Sequence, residues 1–296
     1  MGGLLAAHYG LNLTEGADNF NEFALDRAYL TARAKITPTF GARLTLDADR
    51  PSSADTKYRV FVKHAYLEAK IGGTPMKVRA GVIDTPYQGY SDNFWEHRYV
   101  AKGQSDSNGN LSPADLGVSI GGEHAKGLVD WTVGLYNGEG YSKIEVDAGK
   151  SVQGRVTIDP MASKERMRLP LTGFVDYHMV QDGDPIMLFA AAAGFKMPYV
   201  WFWGEYTGRS QGDVSGGGYS VSLLPGMPKY FRVIARYDSY DPNSEVDADG
   251  WSTIIGGVSH NFYEDISLAA TYERTTTEAA PDDAAHGAFL RMQAGF

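Results

Sequence analysis

Basic side chains recur in this chain at alternate positions. In "FALDRAYLTARAKI" (23–36), Arg27, Arg33 and Lys35 share one parity, and Arg43 follows in the next apolar-alternating stretch. "YRVFVKH" (58–64) adds Arg59 and Lys63, and "MKVRAGV" (76–82) adds Lys77 and Arg79. Cations at period two lie on one face of a strand. Such rows hold fixed charge and set which ions approach. The other chemical possibilities are thinner. The seven His (His8, His64, His97, His124, His178, His260, His286) sit in no nucleophile motif, and "GYSDN" (89–93) lacks the second Gly of Gly-x-Ser-x-Gly. No HExxH occurs, and "GKSV" (149–152) has no Gly-rich loop before it. Cys is absent, which removes disulfides, thiolate metal sites and thiol catalysis. "DPNSEVDADG" (241–250) has the acidity of a Ca²⁺ loop. Its spacing departs from the EF-hand, so Asp241, Asp247 and Asp249 are Ca²⁺ candidates only by charge. No enzyme activity and no cofactor are expected.

The elements that position these residues follow from composition and periodicity. The 296 residues are 43% hydrophobic with mean hydropathy −0.30. No run of 18 apolar residues exists, so no membrane-spanning helix is expected. A membrane barrel stays open, because its alternating strands average out to polar. The net charge of −9 argues against nucleic acid, which needs a basic stripe. "MGGLLAAHYG" has no basic start and no long apolar run, so a secreted form is expected to have lost its leader.

Sixteen segments alternate: about 3–12, 21–36, 39–49, 57–71, 75–84, 114–125, 128–138, 151–160, 168–180, 185–196, 199–208, 216–224, 228–240, 250–262, 265–275 and 286–296. Most are long enough to cross a bilayer as tilted strands. Short connections carry Gly and Pro: "TPT" (37–39), "GGT" (72–74), "AKG" (125–127), "KMP" (196–198), "PGMP" (225–228) and "YED" (263–265). Long ones carry Asp, Asn, Gly and Ser: 13–20, 50–56, 85–113, 139–150, 209–215, 241–249 and 276–285. Long and short alternate, apart from "QDGD" (181–184) and an ambiguous 161–167. A soluble sandwich shares the period-two faces but has no reason to sort its loops by end. The expectation is an all-β transmembrane antiparallel barrel, one domain over 1–296, with short periplasmic turns and long external loops. Aromatics near strand ends (Tyr9, Tyr58, Trp131, Tyr136, Trp201, Trp203, Tyr237, Trp251, Phe262, Tyr272, Phe296) read as two interfacial girdles.

"VRAGVIDTPYQGYSDNFWEHRYV" (78–100), "SPADLGVSIGGE" (112–123), "WTVGLYNGEGY" (131–141), "FALDRAYLTARAKI" (23–36) and "GRVTIDP" (154–160) give the chain a family likeness. It resembles the phosphate-selective (O/P-type) porins of Gram-negative outer membranes. The resemblance implies a sixteen-stranded barrel, often a homotrimer, with the third loop (85–113) folded into the lumen as a constriction. It also implies a bacterial outer membrane, with lipid and lipopolysaccharide as surroundings. Phosphate-specific members have a Lys-rich constriction. Here the loop offers Asp92, Glu96 and Asp106 beside Arg98 and Lys102. The terminal Phe296, with Ala294, Met292, Leu290 and Ala288 at alternate places before it, looks like the outer-membrane assembly signal.

By face assignment the lumen carries Arg27, Arg33, Lys35, Arg43, Arg59, Lys63, Lys77, Arg79, Arg155, Arg232, Arg236 and Arg291. Against these stand Asp47, Asp49, Asp115, Glu123, Asp130, Asp159, Asp176, Asp238 and Glu273. Surplus acid lies in the loops, at residues such as Glu15, Asp18, Glu139, Glu145, Asp147, Asp282 and Asp283. A basic wall facing an acidic loop makes a transverse field, and an acidic mouth concentrates cations within about 10 Å at 0.1 M salt. The expected function is a water-filled, weakly selective channel for passive diffusion of small hydrophilic solutes and ions. The alternative is a barrel that sheathes or anchors a partner protein, for example an electron-transfer cytochrome. Phe94, Trp95 and Tyr90 favour the pore, because they can pack the third loop against the barrel wall.

Overall fold

The structure, a computed structural model, describes residues 1–17, 20–49, 57–164, 166–227, 230–263 and 265–296. Asp18, the 50–56 connection and the side chain of Asp49 therefore lie outside the described residues, as do Pro228 and Glu264 of two turns.

Sixteen strands close on themselves: β1 (Gly2–Asn12), β2 (Asn21–Lys35), β3 (Phe40–Asp49), β4 (Arg59–Lys70), β5 (Met76–Asp84), β6 (Ala114–His124), β7 (Val129–Tyr136) and β8 (Ser151–Ile158), then β9 (Leu171–His178), β10 (Ile186–Met197), β11 (Val200–Gln211), β12 (Val214–Met227), β13 (Phe231–Asp241), β14 (Trp251–Tyr263), β15 (Ile266–Thr277) and β16 (Ala280–Gly295). Each strand pairs antiparallel with its sequence neighbours, and β1 pairs β16, with Ala6 opposite Gln293 and Tyr9 opposite Leu290. Closure leaves no edge strand, so every backbone ladder is satisfied within the sheet, which lipid requires. Phe296 and Gly3 exchange backbone hydrogen bonds (2.7 and 3.1 Å), which joins the two ends of the chain at the turn side.

The faces are inverted relative to a soluble protein. Leu30, Leu44, Val60, Leu67, Val118, Val133, Val175, Ile254 and Leu290 are exposed on the outer wall. Thr45, Asp47, Asp115, Gln153, Arg155, Arg236 and Asp238 are buried inside. That belt spans the membrane.

Bulges in β2 and β4 re-phase the wall beside the loop. In β2, Ala6 pairs Arg27 but Ala7 pairs Leu25, and in β4, Thr45 pairs His64 but Leu46 pairs Val62. A bulge places two consecutive residues on one side. Asp26 with Arg27, and Lys63 with His64, are turned inward in this way.

Several boundaries differ from the sequence reading. β11 and β12 run on to Gln211 and from Val214, and β15 and β16 to Thr277 and from Ala280. The expected long loops 209–215 and 276–285 are thus mostly strand. The longest turn-side connection is 159–170, held by Asp159, which accepts from the Met161 and Leu169 amides and pairs with Arg168. Three of the expected girdle aromatics are not girdle residues. Tyr136, Trp201 and Trp203 are buried in the lumen, because their parity is the inward one.

The 85–113 loop enters the barrel. It carries α1 (Gln88–Trp95) and a short α2 (Gln104–Ser107). The apolar core of the protein forms where this loop meets the β9–β15 wall and Ala6 of β1. Tyr87 and Leu111 pack with Phe174, Leu188 and Trp203, while Trp95, Tyr99 and Val100 pack with Trp201, Leu224, Ile234 and Ile255. Each fully buried large side chain contributes about 1.5–3 kcal/mol, enough to hold the loop against the wall.

Candidate functional site: a charged passage beside the inward loop

The inward loop is fixed by a buried carboxylate. Glu205 of β11 accepts from the Tyr87 hydroxyl (2.6 Å), the Ser91 hydroxyl (2.9 Å) and, at 3.4 Å, Trp203 Nε1. Burial, with the negative Glu205 beside it, pushes the Tyr87 hydroxyl well above its ordinary pKa, so it stays a donor. Further along, Thr207 donates to Gln104 (2.8 Å) and Gln104 to the Ser239 carbonyl (3.1 Å). Arg236 donates to the Lys102 carbonyl (2.8 Å). Phe94 lies 4.8 Å from Trp203 between ring centroids, over Gly194, where a Cβ would stand 2.6 Å from the Phe94 ring. Phe94, Trp95 and Tyr90 pack as their sequence positions led one to expect.

Within the loop, Arg98 joins α1 to α2. Its Nε lies 2.5 Å from Asp92, and its Nη2 donates to Asp106. Burial raises the Asp92 pKa, and Arg98 opposes that shift. Glu96 pairs with Lys196 of β10. His97 is buried beneath, with Nε2 3.1 Å from the Ser259 hydroxyl. Its pKa is lowered to about 4 by burial, with Arg232 and Lys196 adding to the shift.

The loop fills one side of the lumen and leaves the other open. A cavity of about 680 Å³ runs between α1 and the β1–β8 wall. Arg27, Arg33, Arg43, Lys63, Arg79 and Arg155 line it from the wall, and Asp92, Glu96 and Arg98 from the loop. Counting charges over that lining gives seven cations against Asp84, Asp92, Glu96 and Asp130, a surplus of three. A second cavity of about 580 Å³ continues toward the turn side and shares Arg33, Arg43, Arg79 and Asp84 with the first. A third, of about 370 Å³, reaches Met1 and Phe296 and shares Leu4, Tyr29 and Arg33. The three cavities share lining residues and so adjoin one another from the loop to the turn-side rim.

Most of the carboxylates are already matched. Asp84 receives His64 (2.8 Å), with Arg43 and Arg79 at 3.8 and 3.7 Å. Asp130 accepts from Arg155 (2.6 Å), whose guanidinium also lies 4.3 Å from the Tyr90 ring. Glu68 accepts from Arg79 (2.9 Å). Arg27 and Arg33 have no carboxylate partner among the described residues, and Arg27 Nη2 is buried with no hydrogen bond. Lys63 donates to the Tyr29 hydroxyl (2.9 Å), lies between the Tyr29 and Tyr141 rings, and sits 3.9 Å from Asp47.

Of the wall residues expected from sequence, Arg27, Arg33, Arg43, Lys63 and Arg79 share the main cavity. Lys35 lines the turn-side continuation. Lys77 sits off the passage near Glu68 (3.8 Å), and Arg59 pairs in register with Asp49 at the loop end of β4. Of the loop residues, Asp92, Glu96 and Arg98 face the cavity, while Asp106 and Lys102 anchor the loop. Sequence reading missed Asp26, Glu68, Asp84, His64 and Glu205. The bulges leave a signal: apolar positions step by three, from Leu25 to Ala28 and from Val62 to Ala65, where a regular strand steps by two. Asp241 and Asp249 come together at one loop base. Asp247 is exposed, and among the described residues no group of three His, Cys, Asp or Glu is placed to hold a metal ion.

No family model matches the chain, and no curated protein matches it. Among solved structures it is similar over its whole length to OprB of Pseudomonas putida (TM-score 0.76, 10% identity, 93% of that chain). It is likewise similar to an anion-selective porin from Comamonas acidovorans (TM-score 0.68, 14% identity, 98% of that chain). Salmonella typhi OmpF, solved in complex with daunomycin, gives TM-score 0.68 at 10% identity over 96% of that chain. The fold is that of a bacterial outer-membrane porin. The likeness extends to porins of several kinds and does not single out the phosphate-selective ones. The apolar outer belt and the closed sixteen-strand sheet are those of a barrel that spans a membrane.

Proposed function

We propose that this barrel is a water-filled, weakly selective channel through which small hydrophilic solutes and ions diffuse, with no chemical step. The supporting observation is the run of adjoining cavities between the inward loop and the basic wall, from α1 to the Phe296 rim. Its surplus of three cations favours anions inside. The acidic external loops draw cations to the mouth, so the net preference is modest. The wall and loop residues named above would set it: Arg27, Arg33, Arg43, Lys63 and Arg79 facing Asp92, Glu96 and Arg98. The sheath reading loses support from the same geometry, because a loop packed inside the lumen occupies the space a threaded partner would need.

Two finer readings belong with this proposal. One is membership of the phosphate-selective porin family, carried by the sequence likeness. The Arg-lined wall fits it, and the absence of a Lys cluster in the loop departs from it. The other is a homotrimer. The outer faces of β2–β5 carry Ala28, Ala32, Ala34, Ala42, Ala65, Ala69 and Ala80 beside exposed Leu30, Leu44 and Leu67, an apolar surface that another copy would cover. Lipopolysaccharide would contact the remaining loop-side rim. Swelling of vesicles that contain the purified protein tests the channel. Entry of sugars should slow steadily with solute size. No swelling with any sugar or small anion would overturn the reading.

A further inference from the structure

We infer that the turn-side half of the β8–β11 wall binds one anionic phospholipid, with an acyl chain in an outer apolar groove and the phosphate against Lys126, Lys164 and Arg166. The groove is a depression of about 610 Å³ on the lipid-facing side. Its floor is made of small residues that the register brings together. Ala191 pairs Gly173, and Ala193 pairs both Leu171 and Gly204. Its rim is large and apolar: Val156, Ile158, Leu171 and Tyr206 stand exposed around it. A sheet face in lipid is covered by acyl chains anyway. This face is shallow and open, and the exposed rim side chains flank its small-residue floor, so an acyl chain lying along it gains contact over its length.

The charge above the groove selects the headgroup. Ile158 ends β8 and Leu171 begins β9, so the groove rises from the turn-side interface. Between them runs 159–170, which carries Lys164 and Arg166. Ala162 of that segment lies against Gly127, whose Cβ would stand 2.9 Å from it, and this brings Lys126 alongside. Lys126, Lys164 and Arg166 are exposed and make no ion pair among the described residues. Their neighbours Arg168 and Lys196 are spent on Asp159 and Glu96. Free cations at a membrane interface attract anionic lipid. The turn side faces the phospholipid leaflet, so the phosphate belongs to a phospholipid.

Native mass spectrometry of the purified protein tests this, with equal amounts of palmitoyl-oleoyl phosphatidylglycerol and phosphatidylcholine added. One phosphatidylglycerol should be retained per chain, at least fivefold more than phosphatidylcholine. Gly173→Leu fills the groove without an internal clash, since nothing lies within 4 Å of its Cβ position. That variant and the Lys164→Glu/Arg166→Glu pair should each cut retention at least fivefold. Their single-channel current should match the wild type, which keeps this test separate from the channel reading. Equal retention of the two lipids, or unchanged retention in either variant, would overturn the site. So would Gly173→Leu splitting an oligomer, which would make the groove a contact between copies.

Discussion

Removing the two unmatched cations of the passage should change its ion preference by a calculable amount. Arg27 and Arg33 line the cavity, and neither has a carboxylate partner among the described residues. Arg27→Gln with Arg33→Gln lowers the surplus from three charges to one. A unit charge ~7 Å from an ion's path in water interacts with it by ~0.6 kcal/mol, and screening at 0.1 M salt halves this. Each lost cation destabilises an anion and relieves a cation by that amount, ~0.6 kcal/mol in the ratio. Two substitutions give ~1.2 kcal/mol, about an eightfold fall in chloride-over-potassium permeability. Reversal potential across a KCl gradient measures the ratio directly. The same double substitution on Lys77 and Arg59, which lie off the main cavity, should move it far less. A ratio that stays constant on removing Arg27 and Arg33 would refute the assignment of the path to the basic wall.

Other perturbations probe the inward loop. Glu205→Gln weakens the charge-assisted bonds from Tyr87 and Ser91, at a cost of about 1.5–3 kcal/mol of loop docking, and should make single-channel current noisier. Gly194→Val drives a side chain into Phe94, so the loop should shift toward the cavity and conductance should fall. His97 gives a pH dependence. Its docked pKa is about 4 against an ordinary 6.5, so a displaced loop takes up the proton first. Docking should weaken as pH falls from 6.5 to 4, seen as rising current noise, and His97→Gln should remove that dependence.

Much of the barrel is legible in the chain because lipid and water impose opposite demands on its two faces. In β2 and β3, Ala28, Leu30, Leu44 and Leu46 face lipid while Arg27, Arg33, Arg43 and Thr45 face the lumen, so the period is plain. It fades in β10 and β11 for a physical reason. There the inner face is covered by the folded loop, so Leu188, Ala190, Trp201 and Trp203 inside are as apolar as Phe189, Ala191 and Phe202 outside. That is why Trp201 and Trp203 pass for interface aromatics in sequence.

The site is legible only as far as strand phase is regular. Arg43 and Arg79 follow from alternation alone. His64 and Asp26 do not, because each bulge adds a residue and reverses the phase after it. Glu205 looks like an ordinary lumen acid, and nothing local marks it as the anchor of a loop more than a hundred residues earlier. The pairing of Asp92 and Asp106 with Arg98 is also invisible beforehand, so a loop expected to be acidic is mostly neutralised within itself.

The most direct test of an open passage is single-channel current from the refolded, heat-modifiable protein in a planar bilayer. Discrete, long-lived conductance steps are expected, with a reversal potential on the anion side. A folded protein that inserts and gives no steps would contradict the channel and leave the barrel as a closed anchor.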